Sequence, residues 1–547
     1  MDRPRVSLAF DPPQRLARSL RGYRLSSLPR DVVGGALIVA IGIPISMGMA
    51  EVAGLPPIVG LYSCVLAPVA FALFGSSRQL VVALDASTAA LLGAAVTPLA
   101  AGDPQRQIAL ASLVAVLVGV LLIVGGLTHA GVIASLLSLP VLLGYQAALA
   151  VVVIASQLPN LLGLRSNAGT TLGTLHTIVS DLQSVHGPTL LLGVACLVLI
   201  GVAVWRWPRM PVALIAIVLA TLVVEVLAGP FSTVAVVGAL PSGFPSFGLP
   251  DLSLGDIPGL LPATLAIALI ASADTIVTSR AFGERGGYEV DASADMRGVG
   301  AANAASGLSG GITIGASAAR TAVVEMVGVR SQMAGIAAAV LMAATLMFLT
   351  TPLAHLPVTV LGAVVIGAVL RLVDVAGFRA LWRIDRLEWT VGAATAMIAV
   401  VFGLLQGVVV GVALSFGVLA VRTRPVRIQT FRSATTSEER RGGAVVVHLA
   451  GPIIYLNATR ILDRLRLAAS HAGRTIILDV SRLGAVDATG ALALTAFAAW
   501  VERSDVDVVV AGISDRSDAV LRRAGFWSGP PTIDRAADVD AAIALGR

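Results

Sequence analysis

The sequence predicts an all-α polytopic membrane domain followed by a smaller water-soluble α/β domain, and three observations lead there. The 547 residues are 56% hydrophobic and only 13% charged, with a mean hydropathy of +0.89, a balance too apolar for a globular protein in water. Apolar runs long enough to cross about 30 Å of hydrocarbon recur from Val32 to Val421. Beyond Gly443 the composition turns ordinary, and strand-like runs alternate with helical ones.

The apolar runs divide into fourteen predicted spans, at 32–53, 56–75, 80–100, 108–128, 131–157, 188–206, 210–229, 257–281, 296–312, 316–328, 333–353, 356–374, 387–404 and 405–422. The domain plan is a cytoplasmic segment over 1–30, a transmembrane transport domain over 31–422, a linker over 423–443 and a soluble domain over 444–547. The first span follows an Arg-rich stretch without a small-residue cleavage site and reads as retained. The ninth and tenth are short and interrupted near Asn303–Gly307 and at Gly310-Gly311, the mark of discontinuous helices around a central site. The third span is their expected counterpart: Asp85-Ala-Ser-Thr-Ala-Ala90 and Gly315-Ala-Ser-Ala-Ala-Arg320 share a small-residue texture. Ala-rich membrane helices also resemble one another by chance.

All 38 basic residues are arginine, giving a net charge of +6. They lie between apolar runs rather than on one soluble face, so they argue for topology and not for nucleic acid. With the N-terminus inside, segments from Arg3 to Arg30 and those holding Arg78, Arg206, Arg285, Arg297, Arg330, Arg371 to Arg386 and Arg422 are cytoplasmic, and the outer loops keep little beyond Arg106 and Arg165. The positive-inside rule then places both termini in the cytoplasm of a cell whose inner membrane holds the chain. The N-terminal Arg run reads as an anchor for anionic membrane lipids. Cys64 and Cys196 both fall inside apolar runs and read as packing residues.

In the soluble part, 445–449, 475–480 and 506–511 read as strands, 456–469, 489–501 and 515–524 as helices, and Thr435-Thr-Ser-Glu-Glu-Arg-Arg441 as linker. No Gly-rich phosphate-binding motif, metal-ligand cluster or nucleophile–base pair is evident, so neither an enzyme nor a cofactor is expected.

Pro44-Ile-Ser-Met-Gly-Met-Ala-Glu-Val-Ala-Gly-Leu-Pro-Pro57, then Gly60-Leu-Tyr62, Phe74-Gly-Ser-Ser-Arg78, Pro241-Ser-Gly-Phe-Pro245, Tyr288-Glu-Val-Asp291, Gly300-Ala-Ala-Asn303, Arg320-Thr-Ala-Val323 and Gly407-Val-Val-Val-Gly411 stand in the order and spacing of the sulfate permease (SulP) family, which the chain resembles over nearly its whole length. Leu478-Asp-Val-Ser481 and Asp487-Ala-Thr-Gly490 resemble a STAS domain. The resemblance implies two inverted seven-span repeats forming core and gate bundles, homodimers, and transport of small anions such as sulfate, bicarbonate, chloride or dicarboxylates.

It also implies where the anion sits. Between the N-termini of two half-helices, free N–H groups and dipoles offer roughly half a positive charge each. Here the matching residues are Asp85, Ala86 and Ser87 on span three and Ser317, Ala318 and Ala319 on span ten, with Ile45 and Ser46 beside the span-one proline. Ser87 and Ser317 are candidate donors, helix packing being the plainer reading. Arg320 lies in an apolar segment and must be paired or wet: it attracts the anion, or forms an ion pair with Glu325 or Asp274. Asp274 stands where the family often has a Glu tied to proton coupling. It can carry a proton as the cavity alternates between sides, or stay ionised beside Arg280 or Arg320. Asp85 is a good helix cap that would repel a divalent anion.

Three departures make the pocket less polar than the family pattern: Ile45 for Gln, Ala83-Leu84 for Gly-Pro, and Ala319 for Ser. In the STAS motif Thr489 keeps one hydroxyl where bacterial relatives are phosphorylated, while Ala488 replaces the other. The leading expectation is a proton-coupled symporter of a small anion working by alternating access, its STAS domain serving regulation or assembly. A passive anion channel and a solute sensor signalling through the STAS domain are the alternatives.

Overall fold

The computed structural model describes residues 17–20, 23–128, 138–164, 171–206, 212–226, 231–244, 247–248, 255–288, 290–422, 435–441, 444–471, 475–501, 506–527 and 533–545. Most of the N-terminal Arg run, and parts of the predicted linker and of the Pro241–Pro245 motif, lie outside them. The chain forms two compact units, Met1–Ala134 with Leu149–Leu370, and Ser135–Ala148 with Arg371–Arg547.

The first unit holds α1 (Leu28–Val52), α2 (Pro57–Phe74), strand β1 (Val82–Ala83), α3 (Ala86–Ala100), α4 (Pro104–Leu127), most of α5 (Leu139–Leu162), α6 (Thr171–Ser180), α7 (Gly187–Arg206), α8 (Val212–Val226), α9 (Ile257–Gly286), α10 (Ala292–Leu308), strand β2 (Gly315–Ala316), α11 (Ala318–Met326), α12 (Met333–Phe348), α13 (Thr350–Ala354) and α14 (Val358–Val369). Every predicted span within these limits falls on a helix, and the last two fall on α16 (Arg386–Phe402) and α17 (Leu404–Arg422) of the second unit. Composition explains why they stay in lipid. On α7, Val194, Val198, Val202 and Trp205 form one exposed stripe at helical spacing, which needs hydrocarbon rather than water beside it.

The helices start where the local chemistry lets them. Prolines fill the first turns of α1, α2 and α4, where no N–H is missed. Asp103 caps α4 by accepting from Gln105 and Arg106 N–H at 2.9 and 3.3 Å, and Asp291 caps α10 through Ala294 N–H at 3.0 Å, each cap stabilising by about 1 kcal/mol. Glycines let helices touch. A Cβ on Gly300 of α10 would stand 2.8 Å from the Gly119 carbonyl of α4, and one on Gly307 2.5 Å from the Ser112 carbonyl, so the two helices pack backbone to backbone along their length.

The interruption predicted at Gly310-Gly311 is real and has its counterpart before α3, whereas Asn303–Gly307, expected to be interrupted as well, stays helical to the end of α10. After Leu308 the chain unwinds until α11 begins at Ala318, and between α2 and α3 it runs extended through β1. Non-helical backbone at this depth survives only where protein satisfies its polar groups, and side chains do so here. Asn303 donates to the Val299 and Ile314 carbonyls at 2.9 and 3.0 Å and accepts from Ile314 N–H at 3.0 Å. Ser63 Oγ accepts from Ile312 N–H at 2.8 Å, and Ser112 and Ser306 donate to the carbonyls of Gly311 and Ile312. In the other repeat, one Asp295 oxygen accepts from Ser76 and Ser77 N–H at 2.7 and 2.8 Å, while Gln332 donates to the Ser77 and Leu80 carbonyls. Asn303→Leu orphans both polar groups of Ile314 at about 1–3 kcal/mol each. The expected result is a thermal midpoint several degrees lower in detergent, read by fluorescence-detected size exclusion; an unchanged midpoint would show that water replaces the amide.

The second unit carries the start of α5, then α15 (Val375–Ile384), α16 and α17, and a mixed sheet. Sheet order is β3-β4-β5-β7-β8 with β6 beside β4, for β3 (Thr435–Arg441), β4 (Ala444–Ile453), β5 (Thr475–Asp479), β6 (Leu483–Val486), β7 (Asp507–Ala511) and β8 (Asp534–Ala536). All pairs are parallel except β3 with β4. The helices are α18 (Ala458–His471), α19 (Ala488–Val501), α20 (Asp515–Arg523) and α21 (Val539–Leu545). Val447, Leu478 and Val510 pack in one core and Val446, Ile477 and Val509 in the other, because successive strand side chains point to opposite faces and both faces are covered.

A second expectation is corrected in this unit. Thr435–Arg441 is not linker: it is edge strand β3, paired residue for residue from Thr435 with Ala450 to Arg441 with Ala444. Its charge and lack of apolar alternation disguised it, and those are the features that suit an edge strand.

Candidate functional site

The two breaks meet. β1 and β2 pair antiparallel, Val82 opposite Ala316 and Ala83 opposite Gly315, residues more than two hundred positions apart. The pairing continues outward: Ser317 N–H donates to the Val81 carbonyl at 2.9 Å, and Val81 N–H to Thr321 Oγ1 at 3.0 Å. This ribbon brings the N-termini of α3 and α11 to one place, as the predicted repeat requires. A Cβ on Gly315 would lie 4.0 Å from Asp85 Cβ, so the ends share a small space.

At the α3 end, Ala86 and Ser87 are buried. Asp85 caps the helix: its Oδ2 accepts from Ser87 N–H at 3.0 Å and closely from Ser87 Oγ. The Ser87 hydroxyl is therefore spent on Asp85. At the α11 end, Ser317 is the cap, with Arg320 N–H at 3.5 Å from its Oγ. Ser317 Oγ also accepts from Arg320 Nε at 3.1 Å, which leaves its own hydrogen to give. Ala318 is exposed at the mouth of this turn and Ala319 continues the helix.

Arg320 joins the two ends. It is 5% exposed, it holds Ser317 of its own repeat through Nε, and its Nη2 donates to the Leu84 carbonyl of the other. Its Nη1 is buried without a protein partner, and a Cβ on Gly42 of α1 would stand 4.0 Å from that atom. The guanidinium thus turns one N–H group toward α1 just before Pro44, Ile45 and Ser46. Ser46 is fully buried, its Oγ 3.3 Å from Cys64 Sγ, whereas Ile45 is half-buried. Of the two ion-pair partners the sequence offered for Arg320, Glu325 is engaged elsewhere, 3.5 Å from Arg285 Nη1.

Asp274 sits midway along α9, half-buried, on the helix that packs against α3 and β2. That packing sets α9 beside the helix Asp85 caps and the strand that leads to Ser317. Of the residues singled out from the sequence, Asp85, Ser87, Ser317 and Arg320 come together at the two helix ends. Sequence reasoning missed Leu84, whose contribution is a backbone carbonyl no side-chain signal reveals, and Gly42, whose part is to leave room. Thr489 belongs to the second unit.

Comparison with known proteins places this arrangement. Residues 28–395 match the model of the sulfate permease family, and residues 436–538 that of the STAS domain. A Mycobacterium tuberculosis protein named as a probable sulfate transporter is 38% identical over 396 residues, 72% of this chain and 70% of its own. Sulfate transporter 4.1 of Arabidopsis thaliana is 28% identical over 542 residues, covering 93% and 79% of the two chains. Among solved structures, the murine Solute Carrier 26 family member A9 anion transporter, inward-facing, aligns with TM-score 0.71 at 20% identity over all of this chain and 96% of that one. The transmembrane domain of a cyanobacterial bicarbonate transporter, BicA, aligns with TM-score 0.63 at 22% identity over 72% and 98%.

Proposed function

The chain belongs to the sulfate permease family and is a multi-pass membrane transporter of anions, and on that premise we propose that it is a proton-coupled symporter of a small anion, working by alternating access. The observation that carries this reading is the Arg320 guanidinium, buried between the two half-helix ends with one N–H group unspent. An anion seated there takes hydrogen bonds from Arg320 Nη1, the Ser317 hydroxyl and free backbone N–H groups beside Ala86, Ala318 and Ala319, with Ile45 and Ser46 lining the α1 side.

Charge bookkeeping explains the proton. Arg320 contributes one positive charge, Asp85 cancels it, and two helix ends add roughly half a charge each. With Asp274 ionised the site sums to about zero; with Asp274 protonated it sums to about +1. Anion and proton therefore favour each other's binding, the thermodynamic requirement of a symporter. The same sum fits a monovalent anion, bicarbonate or a monoprotonated dicarboxylate, better than sulfate, which would need a further proton. The bicarbonate transporter BicA and the sulfate transporters named above span both choices.

The Arg distribution supports an inner-membrane location with both termini cytoplasmic, the STAS domain serves regulation or assembly, and the protein works as a homodimer. The deciding test is uptake of labelled bicarbonate, fumarate and sulfate into liposomes holding the purified protein, with and without an inward proton gradient. Accumulation above equilibrium only with the gradient is expected, strongest for the first two. Flux that never exceeds equilibrium would replace the symporter with a passive pathway.

A further inference from the structure

The Asp487-Ala-Thr-Gly490 turn plays no part in the proposed anion site, yet one of its backbone N–H groups is satisfied in an unusual way. It opens α19, and a helix start carries unspent N–H groups and a partial positive charge. Asp487 satisfies one of them, Oδ1 accepting from Gly490 N–H at 2.6 Å, while its Oδ2 accepts from Tyr455 N–H, outside the helix, at 2.7 Å. Ala488 N–H goes instead to Glu388, in the first turn of membrane helix α16, with its two carboxylate oxygens at 3.2 and 3.3 Å. Glu388 is 6% exposed and Ala488 0%.

An acidic residue in a helix's first turn ordinarily serves that helix. Here the task is already taken, because Asp385 accepts from Leu387 and Glu388 N–H at 2.9 and 3.3 Å. Glu388 reaches the start of a different helix, and apolar contacts close round it. Leu381, Ile384 and Trp389 pack with Ala488, Leu492 and Val520 on one side. Leu419 of α17 packs with Ile454 and Tyr455 on the other. A carboxylate inside such a contact is tolerable only when a donor faces it, and a helix N-terminus is such a donor.

We propose that Glu388 is the docking residue of the C-terminal domain: it plugs the N-terminus of α19 and thereby fixes that domain on α15, α16 and α17. The socket is reserved for a carboxylate of this same chain. It also decides the fate of the Thr489 hydroxyl, which is buried there without a hydrogen-bond partner. A phosphoryl group on it would set nearly two negative charges beside Glu388. A negative charge placed on Thr489 would therefore oppose docking.

Hydrogen–deuterium exchange of the full-length protein in lipid nanodiscs tests this without reference to any transported anion. In Glu388→Ala, exchange over 486–492 is expected to rise about tenfold or more, the size of one lost charge-assisted hydrogen bond, while β5 keeps wild-type protection. Glu388→Gln, which retains an acceptor without the charge, falls between, and Thr489→Asp matches the alanine variant. Wild-type exchange over 486–492 in Glu388→Ala overturns the proposal. So does a rise that extends equally through β5, since Glu388 would then serve folding of the domain rather than its docking.

Discussion

Asp274→Asn is expected to abolish anion accumulation driven by an inward proton gradient while leaving anion binding close to that of the wild type. The amide copies the protonated carboxyl in shape and charge, so the site keeps its sum of about +1 and still receives the anion. It can no longer give up the proton, so the cycle loses its driving force. Exchange of labelled for unlabelled anion across the liposome membrane, which needs no net proton movement, should persist. The pair of measurements separates the outcomes: lost accumulation with retained exchange assigns the proton to Asp274, whereas equal accumulation in mutant and wild type removes it from the mechanism and leaves it a structural carboxylate on α9.

Arg320→Ala is expected to weaken anion binding by about ten- to a hundredfold, the worth of a charge-assisted hydrogen bond of about 1.5–3 kcal/mol. Two losses combine. The site forfeits its one full positive charge, leaving Asp85 uncompensated, and the Leu84 carbonyl and Ser317 hydroxyl lose the donor that bridged them. Arg320→Lys should recover little, because a single ammonium cannot span Ser317, Leu84 and the anion as the planar guanidinium fork does. Titration calorimetry on purified protein reads both variants. Unchanged affinity in Arg320→Ala would make the arginine a strut between repeats and move the anion elsewhere.

How much of this was legible in the sequence follows from which interactions are local. Hydropathy marks the spans because crossing lipid imposes a length and a composition on each segment separately. Gly310-Gly311 announced a broken helix because paired glycines do not belong inside an apolar run without a reason, whereas Asn303 stays helical and holds the unwound stretch through Ile314. Arg320 drew attention as a charge in apolar surroundings, and Asp85, Ser317 and Asp274 as the positions that the resemblance to the family implies. What stayed hidden depends on distant partners. Nothing around Asp295 or Gln332 says that each holds the unwound stretch before α3, and Val82 shows no sign that its neighbour will be Ala316. Glu388 reads like any acidic residue opening a helix. Only the fold reveals that Asp385 already fills that role and that the carboxylate belongs to Ala488, a hundred positions on.

The β1–β2 ribbon limits how this protein can release what it binds. Hydrogen bonds lace the backbones of the two repeats together beside the proposed anion site, so the two helix ends cannot be drawn apart like jaws. For as long as the ribbon holds, the spacing of the two dipoles and the reach of Arg320 are the same whichever aqueous compartment the anion faces. On the proposed mechanism, preference among anions is then a fixed property of one rigid piece, read out identically on both sides of the membrane. What differs between loading and unloading is how many protons and anions each compartment offers, and so the direction of transport is set by the solutions and not by the binding site.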